Sequence, residues 1–320
     1  MQSKETISKI RTQQVRSREE FDRIILSKPF IDLRCDWAFK YFFSHPEMLM
    51  KLINDVLPVT VSEIEYLPNE IPVRDEKDKR SVMDVLCKHG NDKFLVEMQQ
   101  SHTSDMEDRL TYYGATLISN QVKRGDTKYL LHPVYVLCIC DYEWDHGDVP
   151  ENRILFNYQL REKDFGDPFG KLRLQYYTLE LPRLQKIWEK TTSNLERWSY
   201  LIENFHNFAL IPAENLFGFD QVIDLARIDR LDEEEQKEYL NAMATQYDIL
   251  VHTEAAFDDG VKRGLAEVEA KLAQERIDNA KALLREGVDA EIIARALGLP
   301  LEKVESLREA NRLDCGHILA

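Results

Sequence analysis

Residues 81–100 read SVMDVLCKHGNDKFLVEMQQ. Two runs of strand length, Ser81 to Lys88 and Lys93 to Gln100, flank the turn-forming tetrad His89-Gly90-Asn91-Asp92, so a β-hairpin is expected here. Its register follows from the turn. Whether the loop takes all four residues or Gly90-Asn91 alone, Lys88 faces Lys93, Leu86 faces Leu95 and Asp84 faces Glu97. Directly opposed side chains in a strand pair have Cβ atoms about 4.5 to 5.5 Å apart, and like charges there repel. Alternation adds Gln99 to the face of Glu97 and turns Phe94, Val96 and Met98 into an apolar layer on the other face.

Upstream of the hairpin, Trp37, Phe39, Tyr41, Phe42 and Phe43 are helix-compatible. Met48, Leu49, Leu52, Ile53, Val56 and Leu57 continue at helical spacing until Pro58. Val59 to Leu67 is strand-like. Downstream, Thr103 to Val122 has helical period through Leu110, Tyr113, Leu117 and Ile118. The run Val134 to Cys140, VYVLCIC, reads as a central strand buried on both faces. Past Trp144 the pattern weakens: Leu172 to Leu181 is strand-like, and Leu184 to Thr253 is mostly helical and acidic. Beyond Phe257 the chain loses its aromatics. It reads there as a long helix, Gly260 to Leu284, then an Asp289–Ala296 helix, a Gly298-Leu299-Pro300 break and a Leu301–Ala310 helix. The expected plan is an extension over 1–27, an α/β domain over 28–256 with helical elaboration from about 184, and an all-helical tail over 257–320.

The chain has 320 residues, 43% hydrophobic and 31% charged, which excludes a disordered polymer and allows one enzyme-sized domain with an appendage. No apolar run approaches the roughly 18 residues of a membrane span, and Met1 to Glu20 lacks the apolar middle of a signal peptide, so a cytoplasmic protein is expected. The five cysteines, Cys35, Cys87, Cys138, Cys140 and Cys315, form no CxxC pair and read as reduced core residues. A net charge of −15 leaves room for nucleic acid only on a local basic patch.

Facing carboxylates on apolar strands need a cation or a shared proton. Oxygen ligands suit Mg²⁺ or Mn²⁺, and an ion so held can bind phosphate and activate water, which favours phosphodiester hydrolysis. Two other readings stay open on the residues alone. One is a solvated pair neutralised by Lys79, Arg80 or Lys93; the other is a proton-sharing carboxylate dyad like those of aspartic proteases or glycosidases.

Asp84, twelve residues, then Glu97-Met98-Gln99 resembles the D…ExQ form of the PD-(D/E)XK nuclease motif. Asp36-Trp37-Ala38-Phe39-Lys40 resembles that family's opening D-x-x-FK helix. Arg109 with Tyr112-Tyr113, then Gln121, Gly125, Tyr129 and Pro133-Val134, is similar to the following helix and strand of the Rpn family of recombination-promoting nucleases and transposases. The likeness runs on through Leu179-Glu180-Leu181-Pro182 to the helical tail.

The resemblance implies a restriction-endonuclease-like mixed β-sheet flanked by helices and Mg²⁺-dependent cleavage of DNA. A DNA endonuclease linked to recombination or mobile elements is therefore the expected function; a catalytically weak DNA- or protein-binding relative and an RNA nuclease are the alternatives. Asp84 and Glu97 would be metal ligands and Gln99 would stand at the lysine position. An amide carries no charge and is no base, which leaves Lys40 or Lys88 to supply positive charge. Asp36 would be a further acid of the metal site or, on the residues alone, the N-cap of its helix. Arg109 and Tyr113 share a helix face, where they would contact phosphate, pack, or pair at the surface. His89, His102 and His132 have no ligand spacing. The last two helices resemble a helix-turn-helix unit, but Glu302, Glu305 and Glu309 suit DNA poorly. Homodimerisation through the C-terminal helices is expected instead.

Overall fold

The computed structural model describes residues 17–70, 82–150, 152–207, 211 and 216–316. Lys79 and Arg80, named above as neutralising cations, lie outside them. A six-stranded mixed sheet is built from β1 (Glu65–Tyr66), β2 (Val85–His89), β3 (Asp92–Gln99), β4 (Val134–Cys140), β5 (Leu155–Gln159) and β6 (Leu174–Glu180). Its order is β1-β2-β3-β4-β6-β5. Strands β3, β4 and β6 run parallel, while β1–β2, β2–β3 and β5–β6 pair antiparallel. Leu86 faces Leu95 and Lys88 faces Lys93, as the turn requires. Every residue of VYVLCIC is buried, because helices cover both faces of β4.

On one face lie α1 (Arg18–Leu26), α2 (Asp36–Phe43) and α3 (Pro46–Val56), packed on Val96, Met98, Leu137 and Ile139. On the other lies α4 (Met106–Ser119), whose Met106, Leu110, Tyr113 and Leu117 cover Leu86, Leu95, Val136 and Cys138. Helices α5 (Asn194–Asn204) and α6 (Asp220–Leu225) complete the first layer with Trp198 and Val222. The sheet with helices on both sides is the α/β architecture expected from the resemblance.

Within the 1–27 extension α1 is helical: Ser17 caps it, and Phe21 and Ile25 are buried in the main core. Two expectations need correction. Val59 to Leu67 contributes only Glu65–Tyr66 to the sheet, because the Asn54 amide bonds both the N–H (2.6 Å) and the C=O (2.8 Å) of Val61, competing with a ladder. The helix expected to start at Gly260 instead belongs to α7, continuous from Glu233 to Arg285.

The chain forms two compact units, Met1–Tyr247 and Asp248–Ala320. The second holds α8 (Ala290–Leu297) and α9 (Leu301–Gly316) around Ala280, Ala290, Ile293 and Val304. Asp289 caps α8, and Gly298, at φ +61°, ends it in the left-handed conformation that glycine adopts without strain. Among the described residues no helix is long and apolar enough to cross a membrane.

Candidate active site

Asp84 sits in a bend one residue before β2, opposite Glu97 near the end of β3. The two acids are tied crosswise through the backbone. The Asp84 amide donates to Glu97 Oε1 (3.0 Å), and the Met98 amide donates to Asp84 Oδ2 (2.9 Å). Glu97 is 2% exposed, so its carboxyl has little water to stabilise a charge. Burial pushes it up to about 8, with the Asp84 charge adding to the shift. Burial also raises Asp84, against the opposing Met98 amide and Lys40.

The D-x-x-FK helix delivers a cation. Lys40 Nζ lies 2.6 Å from Asp36 Oδ1, as one helical turn between them allows, and 3.5 Å from Asp84 Oδ1 on the hairpin. Burial disfavours the ammonium, but the two carboxylates outweigh that effect and raise its pKa. Lys88 is not brought in: it pairs with Glu65 at 2.9 Å, four residues along β2 from Asp84, or about 13 Å at strand rise. Lys93 reaches the carbonyl of Leu117 instead of the acids.

Asp36 is not the N-cap, which is Cys35; its carboxylate is 70% exposed and pairs with Lys40, which links it to Asp84, whose pKa its charge helps to raise. Among the described residues no three His, Cys, Asp or Glu side chains are arranged to hold a metal ion. The Asp84–Glu97 pair nevertheless suits a magnesium-like ion, which takes one or two carboxylates and keeps several waters. Burial raises both carboxyls even with Lys40 nearby, so a bound cation would favour their charged forms.

Gln99 follows on the same face. Its Nε2 donates to Glu97 Oε2 (3.1 Å), and its Oε1 accepts from the Arg109 guanidinium on α4 (2.5 Å). Of the two readings of Tyr113, phosphate contact and packing, the structure has packing: it is 4% exposed and lies under the sheet, while its neighbour Tyr112 is 49% exposed. Helical periodicity places Tyr113 in line with Leu110 and Leu117, and that apolar face is the one α4 buries.

Arg34 escaped the reading of the residues. It forms two hydrogen bonds to Asp32 (2.9 and 2.8 Å) and one to Asp141 (3.2 Å), all three residues being nearly or largely buried. Its carbonyl accepts from Gln100. This lattice fastens the approach to α2 onto the ends of β3 and β4, and so holds Lys40 against Asp84. A signal existed in Ile31-Asp32-Leu33-Arg34-Cys35, an Asp–Arg pair two apart inside an apolar run. Without the fold it is indistinguishable from a solvated strand edge.

A hairpin acid pair at the end of a mixed sheet, a helix-borne lysine and an ExQ strand are now in place. A family model for the PD-(D/E)XK nuclease family transposases matches residues 33–256, spanning all six strands. The chain belongs to this family. No curated protein and no solved structure matches it. In this PD-(D/E)XK chain the matched region starts two residues after Ile31 and so takes in Arg34, Lys40, Asp84, Glu97, Gln99 and Arg109 together.

Proposed function

We propose that the chain is a divalent-metal-dependent DNA endonuclease that hydrolyses phosphodiester bonds, with Mg²⁺ as its ion and Mn²⁺ as a substitute, acting in recombination or on mobile elements. The crosswise-tied, desolvated Asp84–Glu97 pair carries this reading. Asp84 and Glu97 would hold the cation, which in such a site supplies Lewis acidity toward water and toward a phosphodiester oxygen. Backbone hydrogen bonds fix both carboxylates beforehand, so binding needs little rearrangement. Lys40 places an ammonium beside Asp84, where a phosphate approaching the acids would find compensating charge. Gln99 offers N–H donors toward Glu97 and takes no proton.

Nicking of supercoiled plasmid with Mg²⁺, Mn²⁺ or EDTA tests the reading. Activity that requires metal and falls at least about a hundredfold in both Asp84→Ala and Glu97→Ala is expected; equal residual activity in all three proteins would sink it. A second copy of the chain is proposed as a partner. On α7 the exposed side chains Val261, Leu265, Val268 and Leu272 recur at 4-3-4 spacing, the period of a two-helix seam. Sedimentation should give a dimer for the native chain and a monomer for Leu265→Lys/Leu272→Lys; a native monomer at micromolar concentration rejects it.

A further inference from the structure

The lysine of the family motif is an amide in this chain, and the structure assigns the missing positive charge to Arg109: we infer that Arg109 is a positioning residue that works through Gln99. This rests on the nuclease reading above and deepens it. Arginine has no acceptor, so the Gln99 atom that meets its guanidinium is the carbonyl oxygen, Oε1. That contact leaves the amide only one way round. Nε2 faces Glu97 Oε2, so Gln99 presents donors to the acid pair and cannot turn its carbonyl toward a cation there.

The guanidinium is itself committed. Arg109 arises on the first turn of α4, where Met106 beneath it and Leu110 beside it are buried. Its Nε is buried without a hydrogen-bond partner among the described residues, while one of its terminal nitrogens reaches Gln99. The Gln99 carbonyl is the oxygen acceptor that meets this desolvated guanidinium, so the two side chains hold each other in place. In a chain of hydrogen bonds each member polarises the next, so the Gln99 N–H groups carry more positive character than those of a free amide. The lysine's charge has moved one hydrogen bond back, from the strand to the helix.

Four full-length proteins test this: native, Arg109→Met, Gln99→Lys and the double variant. If Arg109 acts through Gln99, Arg109→Met lowers kcat for plasmid nicking about ten- to a hundredfold with KM within about threefold. Gln99→Lys, although it restores the family's usual residue, also lowers kcat at least about tenfold, because its ammonium meets the guanidinium. The double variant then recovers to within about fivefold of native. Gln99→Lys as active as native, or a double variant no better than the poorer single, overturns the assignment. The same four proteins are melted in EDTA. Each single variant should melt below native and the double above the sum of the two losses. Strict additivity of the Tm shifts also overturns it, and this holds whether or not the native protein cleaves DNA. A native protein without metal-dependent nicking would therefore refute the nuclease reading while leaving the coupling decided by the melts.

Discussion

Glu97 is the residue at which fold and chemistry meet most directly. Its carboxyl sits at about 8 against an ordinary 4.5, first because it is buried and then because Asp84 is beside it. An acid raised in the folded state gives stability that is present at low pH and is lost as pH climbs from its unfolded value through its folded one. The metal-free protein should thus lose stability between about pH 4.5 and 8, and Glu97→Gln should flatten that slope. If the proposed cation binds at Glu97 it must displace the same proton, so Mn²⁺ affinity measured by calorimetry should rise with pH up to about 8, by at most about tenfold per pH unit. An affinity unchanged between about pH 6 and 8 would show that Glu97 is ionised before the ion arrives. The meeting of Asp84 and Glu97 was legible in the residues because a turn with few options sets the register of a hairpin. The contact between Arg109 and Gln99 was not, because it depends on how far α4 is rotated above β3, which no local pattern records.

Among the elements, α4 shows what close packing adds. Gly114 faces β6, and a Cβ built there would lie 2.5 Å from Tyr176 Oη and 2.9 Å from a Leu174 methyl. In an exposed helix Gly→Ala gains about 1 kcal/mol. Here the overpacking should dominate, and Gly114→Ala is expected to destabilise by about 1 to 3 kcal/mol in thermal unfolding. A stabilised variant would mean that Tyr176, whose hydroxyl donates to the Thr111 carbonyl, swings aside freely. Strong periodic elements, α2 to α4 and β4, were readable from spacing alone. Strand β5 was missed because an edge strand buries little: of LFNYQ only Phe156 is fully covered, leaving no clean alternation to detect. The short β1 was overestimated for the opposite reason, an apolar, β-branched run that Asn54 had already claimed.

Across the whole molecule, each of the two units has its own core, the first reaching along the chain as far as Tyr247 and the second built around Ile293 and Val304. Composition located the loss of aromatics past Phe257, but a helix continuous from Glu233 to Arg285 carries no break for a sequence to announce. Buried thiols line the core on both sides of the sheet. Cys35, Cys87, Cys138 and Cys140 are free and buried, and burial pushes the thiols of Cys35 and Cys87 up to about 12. Cys138 lies level with Glu97 on the neighbouring strand, its thiol 3.6 Å from that of Cys140. Protonated, enclosed sulfur is a poor target for alkylating reagents, so labelling must wait until the strands part. The protein thus carries its own clock for sheet opening. Mass spectrometry of iodoacetamide adducts should find Cys138 tagged at the pace of that opening, and more slowly if the proposed cation is held at Asp84 and Glu97; tagging at the rate of a free thiol would mean that the wall behind Glu97 is open.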